Sequence, residues 1–195
     1  GGEIAMKNYQ ITQWCHHWIQ NQVREGDVCI DATVGNGNDT ELLCSLVGAE
    51  GKVYGFDIQE QALSATKKRL EDAGLSERAE LFLAGHEEMD CYIEKQMYGK
   101  ISCIVFNFGY LPGGSHELST KPQTSICAIE KGLSLLKKGG MMSLCIYSGG
   151  DSGFAERDAL LAYLKTLDPK SYLVILSSYY NRPNNPPIPV MIVKK

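Results

Sequence analysis

A chain of 195 residues, 44% hydrophobic and carrying 19 basic against 23 acidic side chains, is long enough for one packed core, so residues 1–195 are expected to form a single domain. The net charge of −4 argues against an avid, nonspecific RNA binder but allows one small docking patch, the local basic groups being Lys67-Lys68-Arg69, Lys137-Lys138 and Lys194-Lys195. No run approaches the roughly 20 apolar residues of a membrane span and no signal peptide is visible; seven cysteines without a Cys-x-x-Cys give no zinc site and suit a reducing cytoplasm.

The first predicted element is a helix over residues 11–24. Trp14, Trp18 and Ile11 share one face, Thr12 is a candidate N-cap and Gly26 a stop. It is expected at the sheet edge or near the ligand mouth, with His16 and His17 as surface residues. Asp27 to Asp31 is a short buried strand. It breaks into a turn containing Gly35 and Gly37 and resumes as a helix from Asp39 to Val47. A second strand over 52–56 ends at Asp57, and a helix over 59–73 is closed by Gly74. The third strand, 79–84, runs into Gly85-His86 and the start of another helix. Ile101 to Asn107 is a strongly apolar fourth strand. A polar loop and a helix over 121–136 follow, with Gly139-Gly140 expected to stop that helix. A strand over 141–147, a helix over 154–167 and a strand over 171–179 come next. The connection Asn181-Arg-Pro-Asn-Asn-Pro-Pro187 is too short and too proline-rich for a crossover helix. The strand over 188–193 must therefore run antiparallel, beside the strand near 101–107 or the one near 171–179. The expected fold is an α/β three-layer sandwich around a seven-stranded, mostly parallel sheet with an antiparallel last strand.

A strand that turns through glycines into a helix brings backbone N–H groups to one point. Gly35 and Gly37 permit the turn and a ligand's close approach. An acidic residue ending the next strand, here Asp57, is placed to bind both ribose hydroxyls of an adenosine. A dinucleotide loop wants a third small residue, but Thr40 stands there. The pattern Asp-x-x-x-Gly-x-Gly from Asp31 instead resembles the first motif of class I S-adenosylmethionine (SAM) methyltransferases. The fourth strand ends at Asn107-Phe-Gly-Tyr110, similar to the Asn-Pro-Pro-Tyr motif of methyltransferases that modify exocyclic amines. In that motif the Asn side chain and the next carbonyl accept hydrogen bonds from the amine, and the aromatic ring stacks on the target. Here Phe-Gly replaces Pro-Pro.

With Asp57-Ile-Gln59, Gly85-His86, Ser148 to Glu156 and the final Pro-rich hairpin, nearly the whole chain resembles the small YtqB-like rRNA-methylase group of bacteria. The resemblance implies SAM as cofactor. It implies contacts from Asn36, Asn38, Asp57, Gln59 and His86, with Asp31, Thr33, Gly35, Gly37 and Gly85 completing the set, and Asn107 and Tyr110 as catalytic residues. It also implies RNA as partner, methylated at the aminomethyl group of a modified wobble uridine in the tRNA anticodon region. A homodimer is left open. A primary ammonium must lose a proton before it attacks, and Tyr110, His116 and Asp151 are the candidate helpers. Three rivals stand beside this reading: a methyltransferase of small metabolites, a nicotinamide-dependent reductase, and a sensing module without catalysis.

Overall fold

A computed structural model describes residues 9–109, 121–149 and 153–195. Its strands are β1 (Val28–Asp31), β2 (Lys52–Asp57), β3 (Ala79–Leu83), β4 (Ile101–Phe108), β5 (Leu136–Ile146), β6 (Tyr172–Leu176) and β7 (Ile188–Lys194). They form one sheet in the order β3-β2-β1-β4-β5-β7-β6. Pairing is parallel from β3 through β5, and β7 is antiparallel to both its neighbours. The helices are α1 (Ile11–Gln22), α2 (Asn38–Val47), α3 (Glu60–Asp72), the short α4 (Met89–Tyr92), α5 (Pro122–Leu135) and α6 (Gly153–Lys165).

Side chains alternate across a strand, so the central strands feed two cores. Cys29, Val53, Cys103 and Val105 pack with Ile19, Leu43 and Leu70 of α1, α2 and α3. Ile30, Phe56, Ile104 and Phe106 pack on the other face with Met89, Ile129 and Leu160 of α4, α5 and α6. This is the expected three-layer arrangement. It explains why β4 is an apolar run without alternation, being covered on both faces. β1 lies between β2 and β4, so the strand order reverses there, and ligands of open α/β sheets bind beyond the strand ends at such a point.

Four expectations change. The helix over 121–136 is not stopped by Gly139-Gly140. It ends at Leu135 because Leu136 is already extended and paired with Ile101. The register then moves to Cys103 with Met141, so Lys137 to Gly140 form a bulge, with Gly139 at φ +81. The amine of Lys194 donates to the carbonyls of Leu133 (2.7 Å) and Leu136 (2.9 Å), satisfying the end of α5 that no glycine caps. Of the two placements expected for β7, the one beside the strand near 171–179 holds, since β7 pairs antiparallel with β6, and the one beside β4 does not, since β5 occupies that flank. β6 is also shorter than residues 171–179, because its continuation leaves the sheet for α1. Trp14 donates to Ser177 Oγ at 2.8 Å, and the hydroxyl of Tyr179 donates to the Tyr9 carbonyl at 2.6 Å. Finally, the buried stripe of α1 is Ile11, Cys15 and Ile19, while Trp14 and Trp18 flank it half-buried, edge to face at 5.9 Å. Gln10, not Thr12, occupies the N-cap position of that helix, which ends at Gln22 ahead of Gly26.

Candidate active site

A cavity of about 580 Å³ opens at the carboxyl ends of β1, β2 and β4. Its floor is the loop after β1. Asp31 points away from the cavity, under α2. It is fully buried, accepts from the Thr40 hydroxyl at 2.7 Å and the Thr33 N–H at 3.2 Å, and is pushed up to about 7 by burial and by nearby Asp39. Thr40 therefore fills the place of the third small residue of a dinucleotide loop because a buried carboxyl needs its hydroxyl. Asp57 ties the loop to β2. Its two carboxylate oxygens accept from the Gly35 N–H and the Gln59 N–H, both at 2.8 Å. Each oxygen keeps a further lone pair. Asn36 Oδ1 accepts from the Asn38 N–H at 3.0 Å and starts α2. Gly37 stands at φ +83, and a Cβ there would lie 2.6 Å from the Thr66 hydroxyl, so α3 presses directly on the turn. Arg69 of α3 holds the loop from outside, paired with Glu41 and donating to Asn38 Oδ1 at 3.2 Å.

Opposite the loop, β4 delivers Asn107. Its backbone N–H donates to the Thr33 hydroxyl at 2.8 Å, and its side-chain Nδ2 donates to Asp39 Oδ2 at 2.9 Å. The other oxygen of Asp39 lies 2.6 Å from His16 Nε2. Phe-Gly after Asn107 has a physical reason. Phe108 is still in the strand, fully buried and stacked on Phe106 at 4.9 Å. Its carbonyl accepts from the Tyr147 N–H at 2.9 Å, so the backbone carbonyl of the Asn-Pro-Pro-Tyr cradle is committed to the sheet. Gly109 then turns at φ +85, where a Cβ would lie 2.6 Å from the Tyr147 carbonyl.

Thr33, Gly35, Asn36, Asn38, Asp57, Gln59, Gly85, His86 and Asn107 line the cavity together. Asp31 and Gly37 stand behind it and shape the loop. Tyr110, His116 and Asp151 lie outside the described residues. Thr12, Asp39, Lys121, Thr124 and Tyr147 also line the cavity, and none was expected there. The helical spacing of Ile11, Cys15 and Ile19 was the one signal that could have turned Thr12 toward the strand ends.

A protein-family model described as "Putative rRNA methylase" matches residues 53–193. The chain belongs to this family. A curated relative, the chloroplastic tRNA (mnm(5)s(2)U34)-methyltransferase of Arabidopsis thaliana, is 31% identical over 194 residues, covering 95% of this chain and 70% of the relative. The crystal structure of a "putative rRNA-methylase" from Clostridium thermocellum superposes with a TM-score of 0.90 at 44% identity, covering 98% of this chain and all of that one. A "putative methyltransferase" of Streptococcus mutans, solved in complex with S-adenosylhomocysteine (SAH), gives a TM-score of 0.86 at 36% identity with the same coverage. This rRNA-methylase family member is thus a SAM-dependent methyltransferase with the class I fold.

The methylase's cavity fits that cofactor. Among its described lining residues Asp39, Asp57 and Glu87 are carboxylates and Lys121 is the cation. That balance suits a sulfonium and ribose hydroxyls and opposes the pyrophosphate of a nicotinamide dinucleotide. Val34, Ile58, Ala62 and Ala84 give an apolar side suited to a base. No helix among the described residues is long and apolar enough to cross a membrane, and no group of three or more potential metal ligands occurs among them.

His86 closes the far wall. It is 6% exposed, its ring 5.6 Å from Phe106 and 5.7 Å from Phe108. Burial pushes it down to about 4, partly offset by a backbone bond to Ala32 and by Asp57. An unfolded imidazole takes up its proton near 6.5, and the folded one resists until about 4, so stability is lost as the pH falls through that window. At about 1.4 kcal/mol per unit the loss is on the order of 3 to 4 kcal/mol. Asp31, raised from 3.8 to about 7, acts in the opposite sense, costing stability as the pH rises between those values. Urea unfolding of wild type and His86→Asn across pH 4–7 separates the two, because Asp31 cancels in the difference. The wild type should lose ground to the variant on acidification, and parallel curves would refute the buried neutral imidazole.

Proposed function

We propose that this chain, as a single domain, methylates a primary amine on RNA, namely the aminomethyl group of a modified wobble uridine in the tRNA anticodon region. The observation that carries the reading is Asn107, a polar side chain one residue before the end of an otherwise mostly apolar strand, at the cavity that Asp57 and the Gly35 loop enclose. The 31% identity to a tRNA wobble-uridine methyltransferase over most of both chains supports the substrate. Asp57 and Gln59 would hold the ribose, the Gly35–Asn38 loop the methionine portion, and His86 the base. The cofactor supplies an electrophilic methyl group on a sulfonium. The protein's part is alignment, which is worth roughly 7–11 kcal/mol in well-oriented reactions. Asn107 Oδ1 accepts an amine N–H and so aims the nitrogen lone pair. Seven free cysteines support a reducing compartment, the cytoplasm.

The loop after β6 supports RNA as the substrate. It lies at the same edge of the sheet as the cavity, since β6 runs parallel to β5. Tyr179 packs in one cluster with Tyr147, which lines the cavity. Tyr180 beside it is 96% exposed, and Arg182 is exposed too. An aromatic ring held in the open on an anchored loop is a stacking platform for an unpaired base, at about 1–3 kcal/mol. Tyr180→Ala should therefore raise the KM for RNA roughly fivefold or more while SAM binding is unchanged, and an unaltered KM would remove this loop from the interface. The reading as a whole is tested by incubating the protein with labelled SAM and total tRNA from a strain lacking the gene, followed by nucleoside mass spectrometry. Label in methylaminomethyl-uridine is expected. Label confined to a small-molecule extract would reject RNA as the substrate and leave the methyltransferase assignment standing.

A further inference from the structure

Asp39 and His16 have no place in the chemistry described so far, yet they join Asn107 in one chain of hydrogen bonds from α1 through α2 to β4. We infer that the His16–Asp39 pair is a positioning device that fixes the amide of Asn107 with its carbonyl facing the acceptor, which restricts the site to nucleophiles bearing an N–H or O–H donor. The inference deepens the proposed reaction and rests on the reading of Asn107 given with it.

The argument is one of donors and acceptors. An asparagine amide has two nearly isosteric ends, and nothing in its own shape decides which end enters the cavity. An ionised carboxylate only accepts. Asp39 Oδ2 at 2.9 Å must therefore meet the NH2 end, and the carbonyl end is left for the cavity. The same logic acts one step further out. Asp39 Oδ1 at 2.6 Å requires a hydrogen on His16 Nε2, so the imidazole is held in that tautomer or doubly protonated. The backbone of Asn107 is fixed independently by the Thr33 hydroxyl, so only the side-chain torsion was left to specify. The pair is four-fifths shielded, with side-chain exposures of 20% and 19%, and is anchored by the buried stripe of α1. A carbonyl held toward the nucleophile attracts an amine and repels an acceptor-only nucleophile such as a carboxylate.

Asp39→Asn is the decisive substitution because it is nearly isosteric yet can both donate and accept. It no longer dictates which end of Asn107 turns inward. With anticodon stem-loop RNA bearing an aminomethyl-uridine, single-turnover methylation should slow roughly tenfold to a hundredfold, the range for losing a hydrogen bond to a charged group. KM for RNA should change little, and SAM affinity should fall by less than the rate, because Asp39 is one of three carboxylates among the described lining residues of the cavity. His16→Leu should act in the same direction, and His16→Gln, which keeps an N–H for Asp39, should restore most of the rate. On an Asn107→Ala background Asp39→Asn should add nothing. Side-chain amide NMR of the protein without substrate supplies a readout apart from activity. The Asn107 NH2 should exchange slowly and show one shifted proton in wild type, and lose both features in Asp39→Asn. If Asn107→Ala slows transfer but Asp39→Asn and His16→Leu do not, the positioning role is overturned and the proposed reaction survives. If Asn107→Ala leaves the rate unchanged, both fall. If wild type ignores this RNA, the wobble-uridine substrate falls, and the NMR result still decides whether Asp39 orients the amide.

Discussion

Asn107→Ala should slow methyl transfer about a hundredfold, the scale on which loss of alignment at a reacting group is felt. The variant removes the acceptor for the amine and nothing that holds the sheet. The backbone bond from residue 107 to the Thr33 hydroxyl persists, and Phe108 stays locked against Phe106. Asp39 keeps His16 as its partner. The effect should appear in turnover more than in affinity, because the bond to the amine matters most as the nitrogen approaches the methyl carbon. Rapid-quench single turnover, with calorimetry of SAM on the same preparations, separates the two. Transfer at the wild-type rate would remove Asn107 from the chemistry.

Asp57→Ala should weaken SAM binding by a factor on the order of a hundred to a thousand, since two hydrogen bonds to a charged group are lost at roughly 1.5–3 kcal/mol each, without full additivity. The structure adds a second reason. The same carboxylate receives the N–H groups of Gly35 and Gln59, so its removal loosens the loop that forms the cavity floor. A sharper expectation follows for Asp57→Asn. Both oxygens face backbone donors, so an amide must turn its NH2 against one N–H, and this substitution should be nearly as damaging as alanine. Calorimetric titration with SAM checks both variants, and circular dichroism checks that they fold. An Asp57→Asn protein with wild-type affinity would refute the double-acceptor geometry.

Much of this architecture is legible in the residues because local chemistry dictates it. The run Ile101 to Phe106 has no polar face, so it must be covered on both sides. Asn181 to Pro187 cannot build a crossover, so β7 had to run antiparallel. What sequence spacing does not carry is lateral placement. The early start of β5 at Leu136 depends on Ile101, thirty-five positions away, and so two glycines that look like a helix stop are a bulge. The direction of Asp31 follows from strand alternation: it shares a face with Cys29, beneath α2, and so turns to Thr40 and not to the ligand. His16 and Asp39 belong to different helices with β1 between them, and no local pattern announces that they meet.

The insertion of β7 between β5 and β6 has a consequence for the chain as it leaves the ribosome. β1 to β5 find their parallel partners among residues already synthesised, whereas β6 pairs with β7 alone. Until residues 188–194 emerge, β5 presents a bare apolar edge and β6 has no neighbour at all. Open strand edges of this kind invite pairing with other chains. A chain that stopped after residue 176 would lack β7 and leave the β5 edge open to pairing with other chains. Closure of the sheet therefore waits for β7, which enters a slot flanked on both sides by strands that precede it in the chain.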